Sequence, residues 1–189
     1  MGKTYERIEP ALAAWIARQA MFFVGSAPSG DGGHVNVSPK GPISTLRLLD
    51  DHTLAYLDLV GSGAETIAHL RQNGRIVVMF CAFEGPPRIL RLHGHGEVLD
   101  GEEIEFPDAP VLPQQRRAVI RVGVERIADS CGYGVPLMRY EGERRNSRAW
   151  AEGKLAKAGP DALEDYKAQH NAESIDGLPA LSVPSAHGA

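Results

Sequence analysis

The stretch Thr53-Leu-Ala-Tyr-Leu-Asp-Leu-Val-Gly-Ser-Gly-Ala-Glu-Thr-Ile-Ala-His-Leu-Arg-Gln-Asn-Gly-Arg-Ile-Val-Val-Met-Phe-Cys-Ala-Phe83 decides the fold. Thr53 to Leu59 reads as a strand, and the glycines at 61 and 63 break it. Ala64 to Gln72 reads as a short helix, with Ile67 and Leu70 three apart and Gly74 just past its end. Arg75 to Phe83 is the most apolar segment and reads as a fully buried strand.

Working outward, strands are expected at Met21 to Gly25, His34 to Ser38 (ended by Pro39), Ser44 to Leu49, Arg88 to Leu99 and Ala118 to Ala128. Residues 4 to 19 read as a helix, with Pro10 suited to a first turn and Leu12, Trp15 and Ile16 at helical spacing. Ser147 to Ala158 and Asp161 to Asn171 read as two more helices, the second capped by Asp161. Strands this close together, mostly without crossover helices, predict a mainly β (α+β) fold built on an antiparallel barrel. The expected organisation is one domain over 1–180 and a flexible tail over 181–189.

The 189 residues carry a formal net charge of -4, which gives neither a basic footprint for nucleic acid nor a polybasic membrane patch. A small molecule is the expected partner. Two cysteines, no signal-like N-terminus and no long apolar run point to the cytoplasm.

Three segments could carry chemistry. In Asp58 to Thr66 a strand runs through glycines into a helix start. There the Gly63 and Ala64 amides and the Ser62 hydroxyl could hold a phosphate. Ser62 and Glu65 also have the spacing of a capping box, which needs no ligand. In His34 to Gly41, alternation puts Asn36 and Ser38 on one face, and Lys40 could neutralise a phosphate or a reduced isoalloxazine ring. In Arg88 to Gly96, Ile89, Arg91, His93 and His95 share a face, more simply a polar or ligand-bordering face than a metal site. Cys81 sits in an apolar strand where a thiol stays inert, and no catalytic nucleophile is evident. Trp150 could pack on a flat cofactor or, more commonly, into the core.

Taken together, Val-Asn-Val-Ser-Pro-Lys-Gly (35 to 41), the 56 to 67 segment, Gly-Arg-Ile-Val-Val-Met-Phe (74 to 80), 88 to 94 and 171 to 179 resemble the pyridoxamine 5′-phosphate oxidase-related family. The resemblance implies a split β-barrel that dimerises and holds FMN at the subunit interface. By it, Asn36, Val37, Ser38, Pro39 and Lys40 would border the flavin ring and ribityl chain. Ser62, Gly63 and Thr66 would lie near the phosphate, and Asp58 and Arg91 would be further cofactor contacts. Trp150 and the Asn171 to Leu178 stretch would close the pocket. Gly63 and Ala64 stand where the family's vitamin B6 oxidases carry an arginine and lysine pair. That argues against vitamin B6 phosphate as substrate and leaves Lys40, Arg71 and Arg91 to balance the phosphate charge. The implied activity is an FMN-dependent oxidoreductase. The alternatives are a non-enzymatic flavin or haem binder and a deazaflavin-dependent reductase.

Overall fold

The computed structural model describes residues 2–99 and 104–181. Eight strands, β1 (Thr4–Tyr5), β2 (Phe22–Ser26), β3 (Asn36–Lys40), β4 (Leu46–Leu48), β5 (Thr53–Leu59), β6 (Arg75–Cys81), β7 (Ile89–Leu99) and β8 (Arg116–Ser130), form one antiparallel sheet. Its order is β3-β2-β6-β7-β8-β5-β4, with β1 added beside β8. The sheet curls into a split β-barrel. Four helices accompany it: α1 (Pro10–Ile16), α2 (Glu65–Asn73), α3 (Asn146–Ala158) and α4 (Ala162–His170).

The concave face carries the core. Phe22, Val24, Leu54, Tyr56, Val78, Phe80, Leu90, Leu92, Ile120 and Val122 alternate inward along their strands and are fully buried. Removing a side chain of this size from water contributes about 1.5–3 kcal/mol. Phe22 packs edge-on to Tyr56 with ring centroids 5.4 Å apart. Helix α2 plugs the curl through Ile67, Ala68 and Leu70. It ends at Gly74 with φ 70°, where a Cβ would lie 2.0 Å from the His95 ring, so only glycine fits.

The convex face is covered unevenly. Over β5 and β8, Ala55, Leu57 and Val119 pack beneath Phe106. At the far end of β5, Val60 packs against Ala151 and Leu163 of the α3–α4 pair. Over β3, Val35 and Val37 stay exposed, at 74% and 66%.

Several expectations need correction. The helix expected over 4–19 is only Pro10–Ile16, preceded by strand β1. Proline disfavours helical backbone in the residue before it, and Glu9 is extended at ψ 157°. Pro39 does not end the third strand but sits within β3, opposite Phe23. This works because β3 is an edge strand that pairs with β2 alone. The strand expected over Ser44 to Leu49 shrinks to Leu46–Leu48 behind a 3-10 turn at Ile43–Thr45. Asp161 stands at the N-cap of α4 without a side-chain cap bond, and its carboxylate leaves the first turn open. The tail from Ser182 lies outside the described residues.

Candidate functional site

β3 and β5 lie near opposite edges of the sheet, so the barrel is split between them. The seam is bridged by charge. Lys40 Nζ donates to Asp58 Oδ1 at 2.7 Å. Arg117 reaches Asp58 Oδ2 with Nε at 2.7 Å and Nη2 at 2.6 Å. Burial alone would raise the Asp58 carboxyl, but the Lys40 and Arg117 charges and their hydrogen bonds outweigh it and hold it below the ordinary carboxylate value. Two cations on one buried anion leave this group with a surplus positive charge.

Alternation alone would turn Arg117 to the convex face with Val119. A register shift opposite Asp58 and Leu59 leaves Arg117 unpaired and lets it turn inward. Its Nη1 also donates to the Gly63 carbonyl at 2.6 Å. A trans peptide then points the Ala64 N–H away from the arginine. The strand, the seam and the glycine turn are thus one connected unit. The Gly61 carbonyl is held from the other side by Asn171 Nδ2 at 2.9 Å.

The other end of β3 is polar but neutral. Ser38 Oγ donates to Asn36 Oδ1 at 2.9 Å, and Asn36 Nδ2 donates to Thr66 Oγ1 at 3.0 Å and Ser26 Oγ at 3.3 Å. Ser26 Oγ lies 3.0 Å from Nδ1 of the fully buried His69. Burial pushes the His69 imidazole below its usual value, against the opposing pull of Asp176 and Glu65.

A cavity of about 520 Å³ opens at this end, lined by His34, Asn36, Val37, Ser62, Gly63 and Glu65 among others. A second, of about 530 Å³, opens at the Lys40 end. The two flank β3, whose five residues span about 13 Å.

The structure therefore draws Asn36, Ser38 and Thr66 into one bonded group and Lys40, Asp58 and, through Arg117, Gly63 into another. Val37 and Pro39 alternate to the convex side of the strand, where each still borders one of the two cavities. The Ser62–Glu65 capping box does not form: Ala64 is the N-cap of α2, with no side-chain cap bond. Glu65 instead folds over the turn, so close that a Cβ on Gly63 would lie 2.3 Å from its carboxylate. Lys40 is not a free cation but is committed to Asp58. Arg91 bonds Ser130 at 3.1 Å on the convex face. It is three strand spacings from Pro39, about 14 Å. Arg71 lies in the last turn of α2, away from the glycine turn. Trp150 packs on Tyr166, centroids 5.0 Å apart, in the α3–α4 cluster, which is the core reading. Arg117 was not legible as a site residue. In Gln-Gln-Arg-Arg it looks like a solvated basic pair, and only the bulge turns it inward.

The pyridoxamine 5′-phosphate oxidase family profile matches residues 8–131. A pyridoxamine 5′-phosphate oxidase family protein, ustO of Aspergillus flavus, is 39% identical over 94% of this chain and 77% of its own. The chain belongs to the pyridoxamine 5′-phosphate oxidase family. Among solved structures, a HupZ variant from Group A Streptococcus shares the fold. Its TM-score is 0.50 at 21% identity, over 65% of this chain and 99% of its own. A FAD-binding protein from Mesorhizobium loti aligns at TM-score 0.42 and 12% identity, over 68% of this chain and 96% of its own. Family membership covers the β3 strand, the seam and the glycine turn alike. Among the described residues no helix is long and apolar enough to cross a membrane.

Proposed function

We propose that this family member is an FMN-dependent oxidoreductase acting on a small molecule, with the flavin lying along β3. The observation that carries this reading is the pair of cavities at the two ends of β3, joined by a strand about as long as a mononucleotide. The α2 N-terminus, left without a side-chain cap, would take the phosphate through its backbone amides and Ser62. Arg117 would hold the turn in place through the Gly63 carbonyl. Lys40 would keep positive charge at the ring end.

Bound flavin supplies hydride or electron transfer, and the protein supplies binding, orientation and field. Asp58 fixes Lys40 at the wall of the ring-end cavity and Arg117 against the glycine turn. The Asn36–Ser38–Thr66 bonds hold the strand against the helix start, so the bed keeps its shape. No buried acid or base need move a proton in this scheme.

The exposed Val35 and Val37, continued by the half-buried Phe23, Val77 and Met79, favour a second copy packed on the convex face. That copy would close the flavin site from outside, and light scattering at micromolar concentration should give a dimer mass. The free thiols of Cys81 and Cys131 suit a reducing cytoplasm. Natively purified protein should be yellow and should bleach with a reduced nicotinamide. A colourless protein that ignores added FMN would defeat the proposal.

A further inference from the structure

The two ends of β3 differ sharply in charge. At the Asn36 end the ionisable lining is His34 and Glu65, and His34 is held by Asp176 at 2.6 Å. At the Lys40 end the lining carries Lys40, Arg144 and Arg148 against one carboxylate, Glu143. Lys40 shares Asp58 with the buried Arg117, so Asp58 does not fully neutralise it.

The acids near this end offset only part of its positive charge. Glu143 accepts from the Tyr140 hydroxyl, and Glu141 pairs with Arg139 at 3.0 Å. Glu152 takes Arg148 at 2.8 Å, and Asp58 takes Lys40. Arg144 is left with no hydrogen bond or ion pair among the described residues. The remaining wall is largely apolar, including Met21, Leu59 and Val111. Apolar walls of low dielectric strengthen the field of the cations that border them.

We propose that this cavity receives the acidic group of the substrate, a carboxylate or phosphate carried on an apolar body. Arg144 grips it as a two-pronged donor, and Lys40 adds charge from the strand side. The apolar body packs on Met21 and Leu59. The inference rests on the flavin reading, because it treats the Lys40 end of β3 as the ring end, where a substrate meets the flavin. A simpler view is that Arg144 is one more solvated surface cation. Against it, Arg144 lines a cavity and has no ion pair among the described residues, whereas Lys40 and Arg148 on the same wall are each held by a carboxylate.

The test uses flavin-loaded protein and three probes: benzoate, phenyl phosphate and the neutral benzamide. Titration calorimetry of the natural chain should show benzoate or phenyl phosphate bound at least about tenfold more tightly than benzamide. Arg144→Gln should erase that preference, and Arg144→Lys should restore part of it, because one ammonium cannot make the paired contact. Arg144 is exposed, so both variants should melt with the natural chain.

Equal binding of charged and neutral probes, or a preference unchanged in Arg144→Gln, overturns the proposal. A parallel titration with FMN and riboflavin separates the sources of the anion. If Arg144→Gln abolishes a preference for FMN over riboflavin, the cavity holds the cofactor's phosphate and the substrate assignment is wrong. If the natural chain takes up no flavin, the probes are titrated without it. Arg144-dependent benzoate binding would then keep the acid-binding cavity and sink only the flavin reading.

Discussion

The two ends of β3 solve the same structural problem in different ways. Both must pin an edge strand of a split barrel to what lies across the opening. The Asn36 end uses neutral hydrogen bonds to Thr66 and Ser26, backed by a buried imidazole. The Lys40 end uses a buried carboxylate clasped by two cations. Neutral bonds are individually modest and tolerate loss, whereas a charged cluster is costly to break because it strands its partners. The charged end can therefore lend electrostatics to chemistry, and the neutral end is suited to shape.

The largest contrast should come from removing one anchor at each end. Asp58→Asn leaves Lys40 and the nearly buried Arg117 without their counter-charge and should cost about 3–5 kcal/mol in urea unfolding. Asn36→Ala should cost only about 1–3 kcal/mol, as Thr66 and Ser38 lose a partner. Equal losses at the two ends would erase the distinction.

Acid should separate the ends next. The folded His69 imidazole titrates below its usual value, so the unfolded chain takes up the proton first. Stability at the Asn36 end is therefore complete above about pH 6.5 and falls as the pH drops below it. The folded Asp58 carboxyl is also held low, so the Lys40 end keeps its contribution until below about pH 4. Unfolding at pH 7.5 and 5.5 should show a loss that shrinks in His69→Gln. His93, lowered by burial and by Arg126 and Arg91, accounts for a further part.

The smallest effect expected is at the glycine turn. Glu65→Gln removes the negative charge folded over Gly63 and should tighten FMN several-fold, read by quenching of flavin fluorescence. Unchanged affinity would place the phosphate elsewhere than the turn.

Much of the fold was legible because alternation along β7 and the glycine after α2 are local signals. By contrast β6, expected to be fully buried, alternates, with Arg75 exposed and Val77 and Met79 half-buried. The helix expected over 4–19 misled because apolar spacing continued back through a proline whose preceding residue cannot be helical. The site was half legible. Asn36 and Ser38 follow from alternation on one strand, while Lys40, expected just past the strand, lies within it because Pro39 does not end β3. Arg117 did not follow, because a bulge that depends on a partner strand reverses its face. Trp150 packs in the α3–α4 cluster and Arg91 lies on the convex face, positions that residue type alone did not reveal. Arg144 reads in sequence, with Arg145 and Arg148, as a solvated face, and its place on a cavity wall is visible only in three dimensions.

The most direct test of a flavin bed along β3 is titration of FMN into the natural chain, with calorimetry and the flavin spectrum followed together. One FMN per chain should bind saturably, with the isoalloxazine band shifted as the ring leaves water. No saturable uptake, or a stoichiometry untouched when Ser38→Phe fills the bed, would contradict it.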